Sequence, residues 1–524
     1  MTFMNKTSID QTGNEQVYEA RTLTLDSLVA GIPVPSDKYV HTIHADAMLT
    51  DAFAWMTRKR LLDRNRAESG TDITAVSGRT ALGTTASVEL ALQAGHSAAK
   101  EWASRPAKVR REFVLQVNAA LQTAGDQFVE LLVAEGHPRR LAEWELDGAL
   151  KGSSAATYDF CDSLVGKFHE VAGSTVGLRR RPVGLVGMVP SQNAAASTSL
   201  LGIPALAAGN ALIVKPPRSS PLATAWVWQE VINPVLESVG APAGTLSVIC
   251  APPQATIDRW LSSGGVDCLF FVGSSDRGLR LGQRCMENGV KPVLELSGND
   301  SLVVWKDADA RSAARSAAEC FYGSAQICMV PKRVAVHPDV ADEFLQNLEE
   351  ECRTLRPGLP SDKDVLLSPV LDPIGFSETL AEAVEHGAKV LTGGHTVDLE
   401  GRPDPTGVFV EPTVVRFSGT RNLPNIRAIQ EETFYPLLPV VVWEPGPDEA
   451  ILDEMVAFTC SNAYGLRNSL WTGSREVADY WLQRVSNGGI LKVNTSHIGF
   501  SEILPTHGGT GRSGGPSVKP TIHH

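Results

Sequence analysis

The chain has 524 residues and a formal net charge of −12. Because one hydrophobic core stops growing at roughly 250–300 residues, two or three domains are expected. A surface this acidic repels phosphate backbones and anionic lipid, which argues against nucleic acid and membranes as partners. No segment approaches the roughly 18 uninterrupted apolar residues that span a bilayer, and the N-terminus lacks the apolar stretch of a secretory signal, so a cytoplasmic protein is expected.

The first part of the chain, residues 1–84, shows no clear periodicity, and we assign it no function. A helical pattern begins at about Thr85. Apolar side chains then recur every four residues and predict one buried helix face, formed by Val109, Phe113, Val117 and Leu121. A further helix is predicted from Asp126 to Glu135, where Gly136 is a natural stop signal.

From Pro182 onwards, short β-rich runs alternate with longer helical stretches. This alternation predicts a parallel sheet with helices on both faces, an architecture that binds nucleotides at the C-terminal ends of its strands. The predicted strands are Val183–Val189, Ala211–Val214, Leu246–Cys250, Leu269–Val272 and Val293–Leu296. The predicted helices are Ser197–Ala208, Leu222–Val239, Ala255–Ser262 and Asp276–Asn288. A second α/β segment runs from about Ser301 to Arg484, and a Gly-rich tail follows from Gly508 to Gly515.

The usual dinucleotide fingerprint, G-x-G-x-x-G, is absent, which counts against an ordinary Rossmann enzyme. The strand that ends at Val272 is followed instead by Gly273 and Ser274, with the next glycine at Gly278. A Gly-Ser turn that opens a helix can present backbone N–H groups to a phosphate. The turn alone is weak evidence, because most Gly-Ser turns are only turns.

Four local patterns, in order along the chain, fit one mechanism. They are Pro190-Ser191-Gln192-Asn193, Leu294-Glu295-Leu296-Ser297-Gly298, Ala325-Gln326-Ile327-Cys328 and Glu431-Glu432-Thr433-Phe434. Together they resemble the aldehyde dehydrogenase superfamily, whose members carry an Asn-containing strand end, a Leu-Glu-Leu-Gly-Gly box, a Gln-x-Cys nucleophile and a Glu-x-Phe cofactor clamp. The stretch from Ile203 to Asn210, with Val214-Lys215-Pro216 after it, also resembles a recognisable segment of that family, and the similarity covers about Thr85 to Gly515.

The resemblance implies an α/β fold with a Rossmann-like cofactor domain, a second α/β catalytic domain and a small oligomerisation element. On this basis we expect a cofactor domain over 85–163 and 182–294 and a catalytic domain over 295–490. An oligomerisation element would combine 164–181 with 491–524. The family also implies a homodimer or homotetramer acting on a small-molecule aldehyde.

By the same resemblance, Cys328 is the expected nucleophile. A thiolate adds to the aldehyde carbonyl, and the tetrahedral thiohemiacetal can then release hydride from that carbon. Cys320 lies in a helical stretch and is expected to pack in the core. Asn193 is expected to hold the oxyanion, although Gln192 could take this place if the loop is one residue longer. Glu295 is expected to activate the water that hydrolyses the thioester.

Six residues are expected at the dinucleotide. Lys215 points to the adenosine ribose, Glu432 to the nicotinamide ribose and Phe434 to the ring, while Gly273 and Ser274 meet the pyrophosphate. Family members that prefer NAD tend to carry a glutamate three residues after this lysine, but here the residue is Arg218. A guanidinium binds a phosphate dianion well, so NADP is favoured over NAD. No metal site is expected, because the histidines and cysteines form no cluster with ligand spacing.

The chain departs from the family pattern at four places. No aromatic residue precedes Asn193, Ser297 replaces a glycine of Gly-Gly, Ala325 replaces the glycine before Gln-x-Cys, and Tyr435 occupies the glycine of Phe-Gly-Pro. None of these changes removes a reacting group. They do affect the substrate pocket and the placement of the nicotinamide, and they leave a specialised substrate open.

The expected reaction is therefore oxidation of an aldehyde to a carboxylic acid with NADP or NAD. Two alternatives remain open, a semialdehyde dehydrogenase that transfers the acyl group to coenzyme A and a catalytically silent structural relative. Glu295 favours a free acid, because acylating members usually lack a glutamate here. The presence of Cys328, Glu295 and Asn193 together argues against a silent relative. The missing metal ligands and the missing glycine fingerprint argue against a zinc or short-chain dehydrogenase.

Overall fold

The computed structural model describes residues 22–68, 70–419, 423–503 and 508–514. The first 21 residues of the unassigned segment 1–84 lie outside these ranges. So do 504–507 and 515–524 of the expected oligomerisation element. Two seven-stranded sheets dominate the described structure, and helices pack against them, which confirms the predicted α/β class. Within the described ranges, no helix is both long and apolar enough to cross a membrane.

The first sheet contains the five strands predicted from the alternating pattern, and these five are mutually parallel. Two short antiparallel strands from the N-terminal segment extend its far edge, so part of the segment that received no assignment belongs to this sheet. In spatial order the strands are Lys291–Glu295, Cys268–Val272, Leu185–Val189, Ala211–Val214, Leu246–Val248, Ser27–Val29 and Ile32–Val34.

One long helix, Ala107–Ala134, replaces the two helices expected on either side of Asp126. The expectation of a separate helix from Asp126 to Glu135 was wrong, because the apolar stripe continues through Phe128 and Leu132 without a break. Gly125 does not stop the helix; a Cβ there would lie 2.9 Å from a methyl of Leu146, so the glycine permits close helix packing. The helix ends where expected, with Gly136 at a φ of +104°.

The other helices around the first sheet follow the predicted order. The stretch predicted as Ser197–Ala208 is broken into three short turns, and the middle of the stretch predicted as Leu222–Val239 is π-helical. The helices are Thr85–Ser104, Arg139–Gly152, Ala155–Ser163, Ala195–Ser199, Leu200–Gly202, Ile203–Ala207, Leu222–Trp226, Val227–Ile232, Asn233–Ser238, Pro253–Trp260 and Ser275–Glu287.

The second sheet is parallel except at one edge strand, Lys389–Thr392. In spatial order its strands are Lys389–Thr392, Thr413–Ser418, Leu437–Val442, Pro331–Val336, Asp300–Val304, Arg467–Trp471 and Ile490–Val493. Its helices are Ala310–Ala318, Glu319–Ala325, Pro338–Val340, Ala341–Arg353, Pro373–Glu385, Leu423–Asn425, Arg427–Gln430, Asp448–Cys460 and Arg475–Arg484.

Smaller elements complete the described structure. A three-stranded sheet from the N-terminal segment orders Leu23–Leu25, Val76–Ala81 and Tyr39–Ile43, with helices Ala45–Thr50 and Ala52–Asp63 beside it. The strands Gly166–Val171 and Ser174–Arg179 form an exposed hairpin. Two further pairs are Thr396–Val397 with Phe409–Val410, and Tyr464–Gly465 with Thr510–Gly511.

The junction between the two large sheets is short. The edge strand of the first sheet ends at Glu295, and a strand of the second sheet begins at Asp300, so only residues 296–299 connect them. Asn299 anchors this connection to the second sheet, because its side chain donates to the carbonyl of Ile429 at 2.9 Å. The Leu-Glu-Leu box therefore lies at the junction between the two large sheets.

Candidate functional site

Cys328 lies in the loop between the 3₁₀ segment Glu319–Ala325 and the strand Pro331–Val336. Its side chain is half-buried and packs against an apolar cluster built from Leu141, Trp144, Tyr322, Ile327, Met329, Val330, Leu466, Ile498 and Phe500. Cys320, by contrast, is fully buried in the core of the second sheet. Of the two cysteines, only Cys328 is partly accessible, which a nucleophile requires.

The surroundings of Cys328 disfavour its thiolate form. Burial raises the pKa of the thiol, and the nearby carboxylates of Glu295, Glu432 and Asp300 raise it further, while Arg467 opposes them. The thiol sits among carboxylates because residues from the sheet junction and from the loop before Phe434 converge on it. A positive charge brought into this site would favour the thiolate.

The segment before Cys328 has an unusual backbone. Three successive residues, Gly323, Ser324 and Ala325, have φ values of +60°, +56° and +59°. Glycine adopts this left-handed region freely, but a residue with a Cβ is strained there. Ala325 therefore carries strain at the position where the family pattern has glycine.

Replacing Ala325 with glycine is expected to raise the free energy of unfolding by up to about 1 kcal/mol, because the left-handed conformation costs roughly 1–2 kcal/mol with a Cβ and glycine recovers only part of this. Thermal unfolding followed by circular dichroism would measure the change. Ser324→Gly is the matched control, since the Ser324 hydroxyl donates to Ser368 O at 2.6 Å and accepts from Ser368 N at 2.9 Å. That variant should unfold at a lower Tm, and a lower Tm for Ala325→Gly would contradict strain at this residue.

Asn193 reaches the nucleophile loop from the C-terminal end of the strand Leu185–Val189. Its side-chain Nδ2 donates to the backbone carbonyl of Gln326 at 2.8 Å, two residues before Cys328. A carboxamide has two N–H bonds, so one anchors the loop and the other remains for an oxyanion. Gln192 is exposed, and within the described ranges it is held through its backbone carbonyl, which accepts from Ser220 Oγ at 3.5 Å. The geometry favours Asn193 for the oxyanion position.

Glu295 is buried at the end of the strand Lys291–Glu295, next to the nucleophile. Its Oε2 accepts from Gly508 N at 2.8 Å, while its Oε1 has no partner among the described residues. Burial raises the pKa of Glu295 to about 8, against the opposing effects of the Gly508 hydrogen bond and Arg467. A buried carboxyl with a pKa near neutrality and one free oxygen is suited to accept a proton.

Lys215 follows the strand Ala211–Val214 and is almost completely buried. Burial lowers the pKa of its ammonium, the nearby Arg218 lowers it further, and Cys250 has the opposite effect. No hydrogen bond or ion pair reaches this ammonium from the described residues. A cation in this position needs contacts from outside the protein, which water can supply in the free protein and a ribose hydroxyl or phosphate in a complex. Arg218 itself is exposed.

Gly273 and Ser274 form the turn before the helix Ser275–Glu287. Ser274 is the N-terminal cap, but its side chain makes no capping hydrogen bond. The N-cap side chain therefore leaves the amides of Asp276 and Arg277 uncapped, and the helix dipole favours a negative acceptor there. Ser297 supports the turn because its Oγ accepts from Ser275 N at 3.3 Å. This contact gives a role to the serine that replaces a glycine of the box.

Glu432 and Phe434 lie on the segment that precedes the strand Leu437–Val442. Glu432 Oε1 accepts from Gly298 N at 3.1 Å, so this segment is attached to the sheet junction. Burial raises the pKa of the Glu432 carboxyl, and Lys332 opposes the effect. Tyr435, the residue that replaces a glycine, points away into the core, where its hydroxyl lies 2.5 Å from Thr379 Oγ1.

Sequence reasoning missed several residues of this site. Lys332 and Arg467 are buried cations that affect Cys328, Glu295 or Glu432, and Trp144 and Phe500 stack on each other beside the nucleophile with ring centroids 4.8 Å apart. Trp144 and Phe500 lie far apart in the sequence, on the helix Arg139–Gly152 and near the C-terminal tail. Only the fold brings them together.

Comparison with known proteins gives a consistent result. The model of a family described as the aldehyde dehydrogenase family matches residues 69–519. Aldehyde dehydrogenase family 7 member A1 of Brassica napus is 30% identical over 82% of this chain and 84% of that protein. Vanillin dehydrogenase of Corynebacterium glutamicum is 30% identical over 79% of this chain and 84% of that protein.

Solved structures agree on the fold. The crystal structure of gamma-glutamyl-gamma-aminobutyraldehyde dehydrogenase from Burkholderia cenocepacia has a TM-score of 0.75 and 26% sequence identity. The alignment covers 94% of this chain and 92% of that one. Since almost the whole of both chains is aligned, the likeness extends over both large sheets and their junction.

Proposed function

Because the chain belongs to the aldehyde dehydrogenase family, we propose that Cys328, Glu295 and Asn193 form its catalytic centre. The protein is an NAD(P)-dependent oxidoreductase that converts an aldehyde into a carboxylic acid. The observation that carries the assignment of residues is the hydrogen bond from Asn193 to Gln326 O, which joins the end of a cofactor-side strand to the nucleophile loop.

In the proposed reaction, the Cys328 thiol releases its proton to solvent, and Sγ adds to the aldehyde carbon to form a thiohemiacetal. The second N–H of Asn193 and the backbone N–H of Cys328 donate to its oxyanion, and such donors typically contribute several kcal/mol at the transition state. A bound dinucleotide would accept the hydride that leaves this carbon, and the carbon would then be that of a thioester. Glu295 then removes a proton from water, which attacks the thioester, releases the acid and restores the thiol.

An assay of reduced-dinucleotide formation with a panel of aldehydes, with and without coenzyme A, tests this reaction. We expect turnover without coenzyme A, since Glu295 supplies the base that a hydrolytic route requires. Strict dependence on coenzyme A would favour the acylating alternative. Absence of turnover with every aldehyde and both dinucleotides would favour a catalytically silent relative.

For the dinucleotide we propose the predicted set, Lys215, Arg218, Gly273, Ser274, Glu432 and Phe434. The set is supported by the ammonium of Lys215, which has no partner among the described residues, and by the uncapped amides of Asp276 and Arg277 in the helix Ser275–Glu287. We propose NADP as the preferred dinucleotide. Arg218 is exposed and lies near enough to Lys215 to affect its pKa, so two positive charges are available for a 2′-phosphate.

Arg218→Glu should shift the ratio of kcat/KM for NADP over NAD towards NAD by about ten- to a hundredfold, because a charge-assisted hydrogen bond is worth roughly 1.5–3 kcal/mol. Steady-state kinetics with both dinucleotides would measure the ratio. The control is Arg280→Glu, which makes the same charge change at an exposed arginine on the neighbouring helix Ser275–Glu287. If the parent strongly favours NAD, or if Arg218→Glu leaves the ratio of kcat/KM for NADP over NAD unchanged, Arg218 does not bind the 2′-phosphate of NADP.

We also propose a homodimer or homotetramer that associates through 164–181 together with 491–524, and the division into a cofactor domain (85–163 and 182–294) and a catalytic domain (295–490). The exposed hairpin supports the association, since it presents large apolar side chains to solvent: Phe168, Val171, Val176 and Leu178.

A cytoplasmic location is proposed because all eight cysteines are unpaired, as is usual in a reducing compartment.

A further inference from the structure

Lys332 is a buried lysine four residues after the nucleophile, near the start of the central strand Pro331–Val336. Its side chain has no exposed surface. Lysine is rarely fully buried unless its ammonium is paired and hydrogen-bonded, so its contacts require an explanation. The reaction described above does not use this residue.

The ammonium of Lys332 bridges two segments that meet at the candidate site. It donates to the backbone carbonyl of Ala325 at 2.5 Å and to the backbone carbonyl of Thr433 at 2.8 Å. Ala325 belongs to the strained turn three residues before Cys328. Thr433 stands between Glu432 and Phe434, the two proposed nicotinamide-side residues. One cation thus holds the nucleophile loop and the cofactor clamp to each other.

The surroundings of Lys332 offset part of the cost of burying its cation. Burial lowers the pKa of its ammonium, while the nearby carboxyl of Glu432 acts in the opposite direction. The ammonium also lies 5.4 Å from the centroid of the Phe434 ring, within the range of a cation–π interaction. The charge of the Lys332 ammonium therefore acts on both the Glu432 carboxyl and the ring of Phe434.

We propose that Lys332 is a positioning residue that couples the Cys328 loop to the Glu432–Phe434 segment, so that dinucleotide binding at the segment changes the reactivity of the thiol. The coupling rests on the proposed function. The bridge itself does not, because it is made of hydrogen bonds within the protein. The two parts can be tested separately.

The coupling is tested by the rate at which iodoacetamide alkylates Cys328, followed by mass spectrometry of the peptide that carries it, with and without saturating NADP. We expect the dinucleotide to change this rate about tenfold in the parent, within the usual range of coupling between sites, and less than about twofold in Lys332→Met. Lys332→Arg keeps a cation and donors and should retain most of the effect. An unchanged ratio in Lys332→Met would overturn the positioning role and leave only a structural one.

Lys492→Met is the matched control for loss of a buried lysine. The Lys492 ammonium also bridges two backbone carbonyls, those of Ser496 at 2.8 Å and Gly499 at 2.5 Å, but it touches neither the Cys328 loop nor the Glu432 segment. The dinucleotide should still change the alkylation rate in this variant by about as much as in the parent, within about twofold. A loss of coupling as large as in Lys332→Met would show a general effect of destabilisation and would overturn the proposal.

The bridge is tested by amide hydrogen exchange without any ligand. In Lys332→Met, exchange should rise in both 323–328 and 431–435, whereas in Lys492→Met it should rise only around 496–499. If the parent binds neither NADP nor NAD, the proposed function fails, but raised exchange at both segments would still support the bridge. Unchanged exchange at either segment in Lys332→Met would overturn it.

Discussion

Cys328→Ala is expected to abolish aldehyde oxidation, because the thioester route has no substitute for the sulfur that forms the covalent intermediate. The substitution removes one half-buried atom and leaves the proposed dinucleotide contacts at Lys215 and Ser274 in place. We therefore expect a dinucleotide Kd within about twofold of the parent's, which corresponds to less than about 0.5 kcal/mol. Turnover would be measured as reduced-dinucleotide formation, and Kd by titration calorimetry.

Cys320→Ala provides the comparison for this variant, since Cys320 is fully buried eight residues away and should affect only packing. Its loss should lower the Tm by a few degrees at most and leave kcat close to the parent's. An inactive Cys320→Ala together with a normally active Cys328→Ala would reverse the assignment. Loss of dinucleotide binding in Cys328→Ala would indicate that the substitution damages the fold.

Glu295→Gln should slow hydrolysis of the thioester far more than hydride transfer, because the base acts on water only after the acyl group has formed. General-base catalysis contributes typically 10²–10⁴-fold, so we expect a loss of kcat of about that size. Rapid mixing should show a burst of reduced dinucleotide followed by slow turnover, and mass spectrometry should detect an acyl adduct on Cys328. Loss of the burst itself would give Glu295 another role.

The pH dependence provides an independent test of the same residue. Burial raises the pKa of Glu295 to about 8, and a general base acts in its deprotonated form. When hydrolysis limits turnover, the parent's kcat should therefore rise with pH through about 8 and level off above it. Glu295→Gln should lack this rise. A parent profile that falls over the same range would exclude Glu295 as the base.

The architecture was largely predictable, because strand–helix alternation after Pro182 is a strong pattern. The five predicted strands of the first sheet are confirmed, and each predicted end lies within two residues of the observed one. The N-terminal strands escaped notice for a physical reason: Ser27–Val29 and Ile32–Val34 have three residues each, too few to show an alternating pattern. Ser27–Val29 is placed by its pairing with the distant strand Leu246–Val248, and Ile32–Val34 pairs in turn with Ser27–Val29.

The candidate site was predictable where a residue stands in a motif and unpredictable where the fold alone gives it a role. Asn193 and Gln192 could not be separated from the sequence, because a one-residue change of register in a loop exchanges them. Lys332 and Arg333 are both fully buried although they are neighbours on one strand. Successive side chains of a strand point to opposite faces, so a strand with one solvent-exposed face would expose one of these two residues. The sequence pattern therefore did not predict that Lys332 is buried. The assignment of the site residues stays a prediction.

The short connection between the two sheets limits how the molecule can open. Four extended residues span at most about 14 Å, so the sheets cannot separate at residues 296–299. Contacts elsewhere also join the two halves: Asn193 donates to the carbonyl of Gln326 at 2.8 Å, and Arg139 N donates to the carbonyl of Pro360 at 3.0 Å. Glu295 immediately precedes the short connection, which therefore holds the proposed base close to the start of the strand Asp300–Val304 in the second sheet.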